Sequence, residues 1–208
     1  MPVILKVGVD MQPADDLLKR LKPRDVGRAL SLSINDSLRQ TVKFGAGVGA
    51  AAAGVPVSSA RKRFFVDRAS PSRPEGAVRV KHQALNLINF MAGARPPKAK
   101  PKKGVRAKAW GKSKLYKGTF TAPASESGRV IVWHRTDVKR IASKGRYKGK
   151  LREVIEPVWG PSIYQVLKET RAMERIEAHG LSRMRANLLR QVDRILRRRA
   201  IGIKSGRA

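Results

Sequence analysis

Two short segments near the middle of the chain alternate apolar with polar residues, and this alternation constrains the fold more than any other feature. They are residues 117–122 and 129–135, and both contain β-branched and aromatic side chains. A period of two is typical of strands, and the small polar residues at 125–128 favour a hairpin turn between them. Phe120 and Trp133 should therefore lie on adjacent antiparallel strands and cover one apolar face.

Helices are predicted on both sides of this hairpin. From about residue 24 to residue 53, apolar residues recur at helical spacing in one continuous stripe. Ser162 is predicted to cap the last helical region, in which His179-Gly180 predicts a break. The sequence thus predicts an α+β fold with N-terminal helices, a central antiparallel β-sheet from about residue 64 to 158, and a C-terminal helical arm.

Three regions follow from this pattern in a chain of 208 residues. We expect an N-terminal helical region at 1–60, a central β-rich domain with basic loops at 61–161, and a C-terminal helical arm at 162–208. A chain of this length can bury a substantial core. The side chains expected to supply core contacts in the sheet are Phe120, Val130, Val132 and Trp133.

The three tryptophans, Trp110, Trp133 and Trp159, lie in or beside the predicted sheet. Core positions are favoured for all three, because a domain this poor in aromatic residues needs them to cover its sheet faces. The alternative is that Trp110, which lies in a Lys-rich stretch, stacks on the bases of single-stranded nucleic acid.

A glycine-rich segment at 44–54 has two interpretations. It could be a phosphate-binding loop, but it lacks the Gly-Lys-Ser/Thr ending and no clear buried strand precedes it. The favoured interpretation is a close-packed helix or joint whose small side chains let another backbone approach.

The charge of the chain is extreme. Lys and Arg total 46 against 15 Asp and Glu, a formal net charge of +31. Residues 61–116 alone carry a net +14, so the excess lies just before and around the predicted sheet. Self-repulsion on this scale destabilises a compact state unless a polyanion neutralises it. Nucleic acid is the expected partner, ahead of an anionic membrane or an acidic protein.

Two basic segments are the candidate nucleic-acid contacts: a Pro- and Lys-rich linker with its continuation, and a second basic loop at 139–150. The candidate side chains are Lys98, Lys100, Lys102, Lys103, Arg106, Lys108, Lys112, Lys114, Lys139, Arg140, Lys144, Arg146, Lys148 and Lys150. A run of charges is more often a solvated loop. Here the charge excess of the whole chain favours contact with a polyanion.

Catalytic signatures are sparse. The chain has no cysteine, and its three histidines have no partner at metal-ligand spacing. His134 and Asp137 could suggest an acid–base pair, but a structural or surface role for His134 is favoured because no nucleophile is positioned beside it. The sequence contains no stretch of eighteen apolar residues, so no membrane span is predicted. We therefore expect neither an enzyme nor a cofactor.

Four short motifs follow the basic stretch in a distinctive order: Ala109-Trp110-Gly111, Tyr116-Lys117-Gly118-Thr119-Phe120, Val132-Trp133-His134-Arg135 and Gly160-Pro161-Ser162. Their order and spacing resemble the minor tail protein Z family, the tail-completion proteins of lambda-like long-tailed phages. The resemblance covers most of the chain. The chain departs from it in the extra-basic loop at 139–152, where the family usually has a short link.

This resemblance implies a structural virion protein without catalysis. The protein would be assembled in the host cytoplasm and would join the head-proximal end of the tail to the head. The implied partners are other copies in a ring (six by analogy with tail tubes), a tail terminator or tail tube protein, a head-completion or connector protein, and packaged double-stranded DNA contacted without sequence preference. The alternative is a stand-alone nucleic-acid-binding protein of ribosomal or chromatin type.

Overall fold

The computed structural model describes residues 3–5, 19, 21–91, 103–124, 127–143 and 145–204. Four helices are described: α1 (Pro23–Ala53), α2 (Val57–Arg61), α3 (Ile163–Glu169) and α4 (Ala172–Lys204). The strands are β1 (Val3–Leu5), β2 (Phe64–Asp67), β3 (Ala77–Val80), β4 (Val105–Ala107), β5 (Lys114–Tyr116), β6 (Thr119–Pro123), β7 (Val130–Ile141) and β8 (Leu151–Pro157). Short 3-10 turns lie at Leu87–Phe90, Ala109–Gly111 and Gly145–Tyr147. The predicted α+β class is confirmed.

Helix α1 is the centre of the core, as its apolar stripe predicts. A proline in the first turn pre-sets the helical backbone, and the helix ends at Gly54, which adopts a left-handed φ of 68° and donates its amide to the Ala50 carbonyl. Leu38, Val42 and Ala46 on its inner face are buried with side chains from the sheets and from α3 and α4. This single core cluster contains residues from all three predicted regions. The boundaries between those regions stay a prediction.

The glycine-rich end of α1 is helical and closely packed on one side. A Cβ atom at Gly45 would lie 3.0 Å from Phe64 Cε1, and one at Gly49 would lie 3.0 Å from Ile163 Cγ2. These two glycines therefore let neighbouring side chains approach the helix backbone. The close-packed helix is the correct interpretation of this segment.

Helix α4 runs antiparallel to α1 and buries Met184, Leu188 and Val192. Ser162 caps α3 as predicted, with its Oγ accepting a hydrogen bond from the Gln165 amide at 3.0 Å. The predicted break at His179-Gly180 is wrong, because α4 continues through both residues. The interruption lies between α3 and α4, where Arg171 adopts a left-handed φ of 52°. Packing against α1 outweighs the low helix propensity of one glycine.

The strands form three small antiparallel sheets, with orders β1-β3-β2, β4-β5 and β6-β7-β8. The prediction of one central sheet is therefore wrong, because period-two alternation identifies strands but not their partners. The prediction that Phe120 and Trp133 lie on adjacent antiparallel strands is confirmed, and the register of β6 and β7 places the two residues directly opposite each other.

Of the four predicted core residues of the hairpin, only Val132 is fully buried. Phe120, Val130 and Trp133 are half-buried. The Trp133 indole donates a hydrogen bond to the Ala122 carbonyl at 3.1 Å, so its polar edge faces its own hairpin. The core is made mainly of aliphatic side chains from the helices and the short strands.

Candidate nucleic-acid interface

A hairpin arm, residues 137–153, extends from the outer ends of β7 and β8. Every described residue in it is exposed except Ala142, which is half-buried. A bulge between Arg135 and Lys139 separates the arm from the inner part of the hairpin. The predicted loop at 139–150 is therefore only partly a loop, because Lys139 and Arg140 belong to strand β7.

Cross-strand pairing gives the arm two different faces. Arg140 lies directly opposite Arg152 on one face, while Ile141 lies opposite Leu151 on the other. The Arg152 guanidinium lies 3.8 Å from the ring centroid of Tyr147, within the range of a cation–π interaction. Like charges directly opposite each other destabilise a hairpin, so an anion between the two arginines would stabilise the arm.

The second group of candidate side chains follows strands β4 and β5. Lys103, Arg106, Lys108, Lys112 and Lys114 are all exposed. This small sheet is tied to the hairpin by a hydrogen bond of 3.0 Å from the Val105 amide to the Thr119 hydroxyl. The two basic groups thus lie on separate sheets of one connected body.

The candidates of both groups are unneutralised within the part of the chain that the structure describes. None of the described ones, including Arg106, Lys139 and Arg140, forms an ion pair with a described acidic residue. The nearby carboxylate of Glu153 instead pairs with Arg135 at 3.2 Å. Lys98, Lys100, Lys102 and Lys144 lie outside the described residues.

Two tryptophans occupy the surface, so the prediction that all three are core residues is wrong. Trp110 is 56% exposed and Trp159 is 50% exposed. Trp110 has a left-handed φ of 59°, a conformation uncommon for a bulky residue, and its neighbour Ala109 is buried. The one sequence signal is that both exposed tryptophans precede a glycine, whereas Trp133 lies in an alternating strand.

The histidines form no catalytic group among the described residues. His134 is exposed, as its favoured surface role predicts. His82 packs its ring on Tyr164 with 3.7 Å between centroids, and His179 stacks on Phe44 at 4.1 Å. Burial and the nearby Arg183 lower the pKa of His179.

The described residues contain neither a metal-binding cluster nor a membrane span. No group of three or more His, Cys, Asp or Glu among them could hold a metal ion. None of the described helices is long and apolar enough to cross a membrane.

The sequence matches one family model over residues 11–200, and the description of that model is prophage minor tail protein Z. Neither a curated protein nor a solved structure gives a match. The matched range contains the hairpin arm, both basic groups and nearly all of the helical core.

Proposed function

The chain belongs to the prophage minor tail protein Z family, which makes it a component of a phage tail, and from this premise we propose that it completes the tail at the end nearest the head. In that position it joins the tail to the head and meets the end of the packaged DNA. Its role is structural, and no step of it requires catalysis.

The observation that carries the proposal is the set of exposed, unneutralised cations on the hairpin arm and on β4 and β5. Arg140 and Arg152 lie at directly opposite positions of the hairpin, and guanidinium groups bind phosphate oxygens through paired hydrogen bonds. Phosphates also offset the repulsion between opposed arginines and the net charge of +31. A duplex running along the tail axis supplies such phosphates.

Contacts of this kind need no reading of base sequence. Phosphate contacts position a protein on DNA, whereas base edges specify the sequence. A tail-completion protein must accept whichever sequence lies at the end of the packaged genome. Basic side chains on an exposed hairpin satisfy that requirement.

The proposed assembly is a closed ring around the tail axis, with six copies by analogy with tail tubes. Each level of a tail must present rotational symmetry to the next, which a closed homo-oligomer provides. A tail terminator or tail tube protein would contact the ring on one side, and a head-completion or connector protein on the other. Assembly would occur in the host cytoplasm, and the finished protein would belong to the virion.

The decisive experiment is a reconstruction of particles with and without this chain. We expect density for the chain in symmetric copies at the head-proximal end of the tail, and tails without it should fail to join heads. A single off-axis copy, or a position at the far tip, would overturn the proposal. The alternative, a stand-alone nucleic-acid-binding protein, would instead leave purified tails free of the chain.

A further inference from the structure

An open groove of about 730 Å³ lies between α1 and α4, and no residue of the hairpin arm lines it. Its floor is formed by one face of α1, with Phe44, Val48 and Ala51 as the apolar side chains. His179 and Arg183 of α4 form the opposite wall. Phe44 and Val48 are half-buried against the edge of the core, and the His179 ring stacks on Phe44, whereas Ala51 is exposed. This face of α1 is therefore only partly covered.

Gly47 in the floor of the groove is not explained by packing within the described chain. A Cβ atom at Gly47 would meet no heavy atom within 4 Å, whereas one at Gly45 or Gly49 would meet buried side chains at 3.0 Å. Glycine inside a helix is less favourable than alanine, so a glycine there usually permits a close approach to the backbone. No described atom accounts for a glycine at this position, and the open site leaves room for the backbone of a partner.

The polar rim of the groove is basic. Lys43 and Arg183 line it, and neither forms an ion pair with a described acidic residue. Next to Lys43 the groove continues past Arg61, which is also unpaired among the described residues. The acidic residue there, Asp36, is already neutralised by Arg39 and by Arg190.

One buried polar atom at the junction of these two sections lacks a partner. Gln40 lines both sections, and its Oε1 is buried with no hydrogen-bond donor among the described residues. A buried acceptor without a donor is costly, so a ligand that offers an N–H or O–H group would be favoured at this point.

We propose that this groove binds an acidic amphipathic helix of another tail or neck protein. Apolar side chains of that helix would pack on Phe44 and Val48, its backbone would approach at Gly47, and its carboxylates would pair with Lys43 and Arg183. The unpaired cations of the rim favour an acidic partner; a second copy offers only 15 Asp and Glu against 46 Lys and Arg, and a nucleic-acid backbone would leave the apolar floor uncovered. The proposal rests on family membership for its setting but not on any contact with DNA.

Site-specific cross-linking in assembled tails identifies the occupant. Ala51 is exposed in the floor, so a photo-reactive phenylalanine placed there should cross-link to an acidic segment of a different protein. The same group at Arg185, which is exposed on α4 outside the groove, should not yield that product. A cross-link to another copy of this chain, a cross-link to DNA, or no product at Ala51 would overturn the proposal.

Two variants test the groove itself. Gly47→Leu adds a side chain to the floor of the groove, at a position where a Cβ atom would meet no described heavy atom within 4 Å. Lys43→Glu with Arg183→Glu reverses the charge of its rim. Each should keep its thermal stability yet lower incorporation into tails by about tenfold or more, because the first blocks the close approach and the second repels an acidic partner. The matched control is Arg175→Glu with Arg185→Glu, the same charge change on exposed residues outside the groove. Normal incorporation of both groove variants would contradict the proposal.

The same variants separate this inference from the proposed function. Groove variants should bind duplex DNA as the parent chain does, while variants of the hairpin arm should enter tails normally. If arm variants also bind DNA normally, only the DNA-facing role is wrong, and the groove result stands unaffected.

Discussion

Asn86 exchanges two hydrogen bonds with Val132, 46 residues further along the chain. Its Oδ1 accepts from the Val132 amide at 2.9 Å, and its Nδ2 donates to the Val132 carbonyl at 3.3 Å. The same Oδ1 accepts from the Ile88 amide and so caps the 3-10 turn that follows. A single buried side chain thus acts as a strand partner for β7 and fixes the hairpin to the core.

Asn86→Ala should therefore be strongly destabilising. It leaves the buried amide of Val132 and the partly buried amide of Ile88 without their acceptor, and we expect the free energy of unfolding to fall by about 2–3 kcal/mol. Chemical denaturation measures this change. Gln83→Ala is the control, because Gln83 is exposed and makes one surface hydrogen bond to Arg63, and it should stay within about 0.5 kcal/mol of the parent. Equal effects of the two substitutions would contradict the role of Asn86.

Alanine at two glycines of α1 should have opposite effects. Gly47→Ala should raise the free energy of unfolding by about 0.4–1 kcal/mol, because the site is open and the unfolded chain loses freedom. Gly45→Ala should lower it by about 1 kcal/mol or more, because its Cβ would press on Phe64 and Ile176. Thermal and chemical unfolding of the pair test this, and a gain at both positions would show that the packing at Gly45 is loose.

Serine at both arginines of the opposed pair should weaken DNA binding without unfolding the arm. Arg140→Ser with Arg152→Ser removes like charges that face each other, so stability should not fall. The slope of log affinity for duplex DNA against log salt should become shallower by about 0.9 for each phosphate that the variant no longer binds. Arg175→Ser with Arg185→Ser changes the net charge equally on α4. If this control flattens the slope as much, net charge rather than the arm governs binding.

The Pro- and Lys-rich linker gives a separate prediction. Replacing Lys98, Lys100, Lys102 and Lys103 together by serine should leave the melting temperature unchanged, since a segment of this composition is expected to bury little apolar surface. The same change should yield particles that assemble but infect poorly, because the DNA end is misplaced. Plaque counts on a complemented host measure this, and unchanged infectivity would mean that the lysine run is only a solvated surface.

Stability should also depend on the protonation of His179. Burial and the charge of Arg183 lower its pKa, so the folded state favours the neutral imidazole. The contribution of the neutral His179 side chain to the free energy of unfolding is complete above the unfolded pKa of about 6.5. It is lost as pH falls through the lowered pKa of the folded state. The drop in melting temperature between about pH 7.5 and pH 5.5 should therefore be smaller in His179→Gln and in Arg183→Ser. A drop as large in both variants as in the parent would exclude His179 as its source.

Local sequence pattern predicts the parts of the fold that depend on neighbouring residues. The stripe along α1, the cap at Ser162 and the placement of Phe120 and Trp133 on adjacent strands all follow from spacing within one or two elements. Positions that depend on distant partners are predicted less well. Gly180 stays helical because α1 packs beside it, and β3 pairs with β1 and β2 rather than with the hairpin.

The candidate site also has features that the sequence predicts and features that depend on distant partners. Composition is enough to identify the basic segments, because charge does not depend on the fold. It cannot show that Lys139 and Arg140 lie in a strand or that Arg152 lies opposite Arg140. Nor can it show that Trp110 and Trp159 are exposed, since an aromatic residue satisfies a core and an interface equally well.

The exposed hairpin arm lies outside the part of the protein that keeps it folded. From Asp137 to Ile141 the first strand of the arm spans about 13 Å at the usual rise per residue. Side chains along that length are almost entirely outside the core, so substitutions there carry little folding penalty. The arm can therefore diverge in length and sequence while the helical body stays constant, so its surface chemistry can change without redesigning the fold.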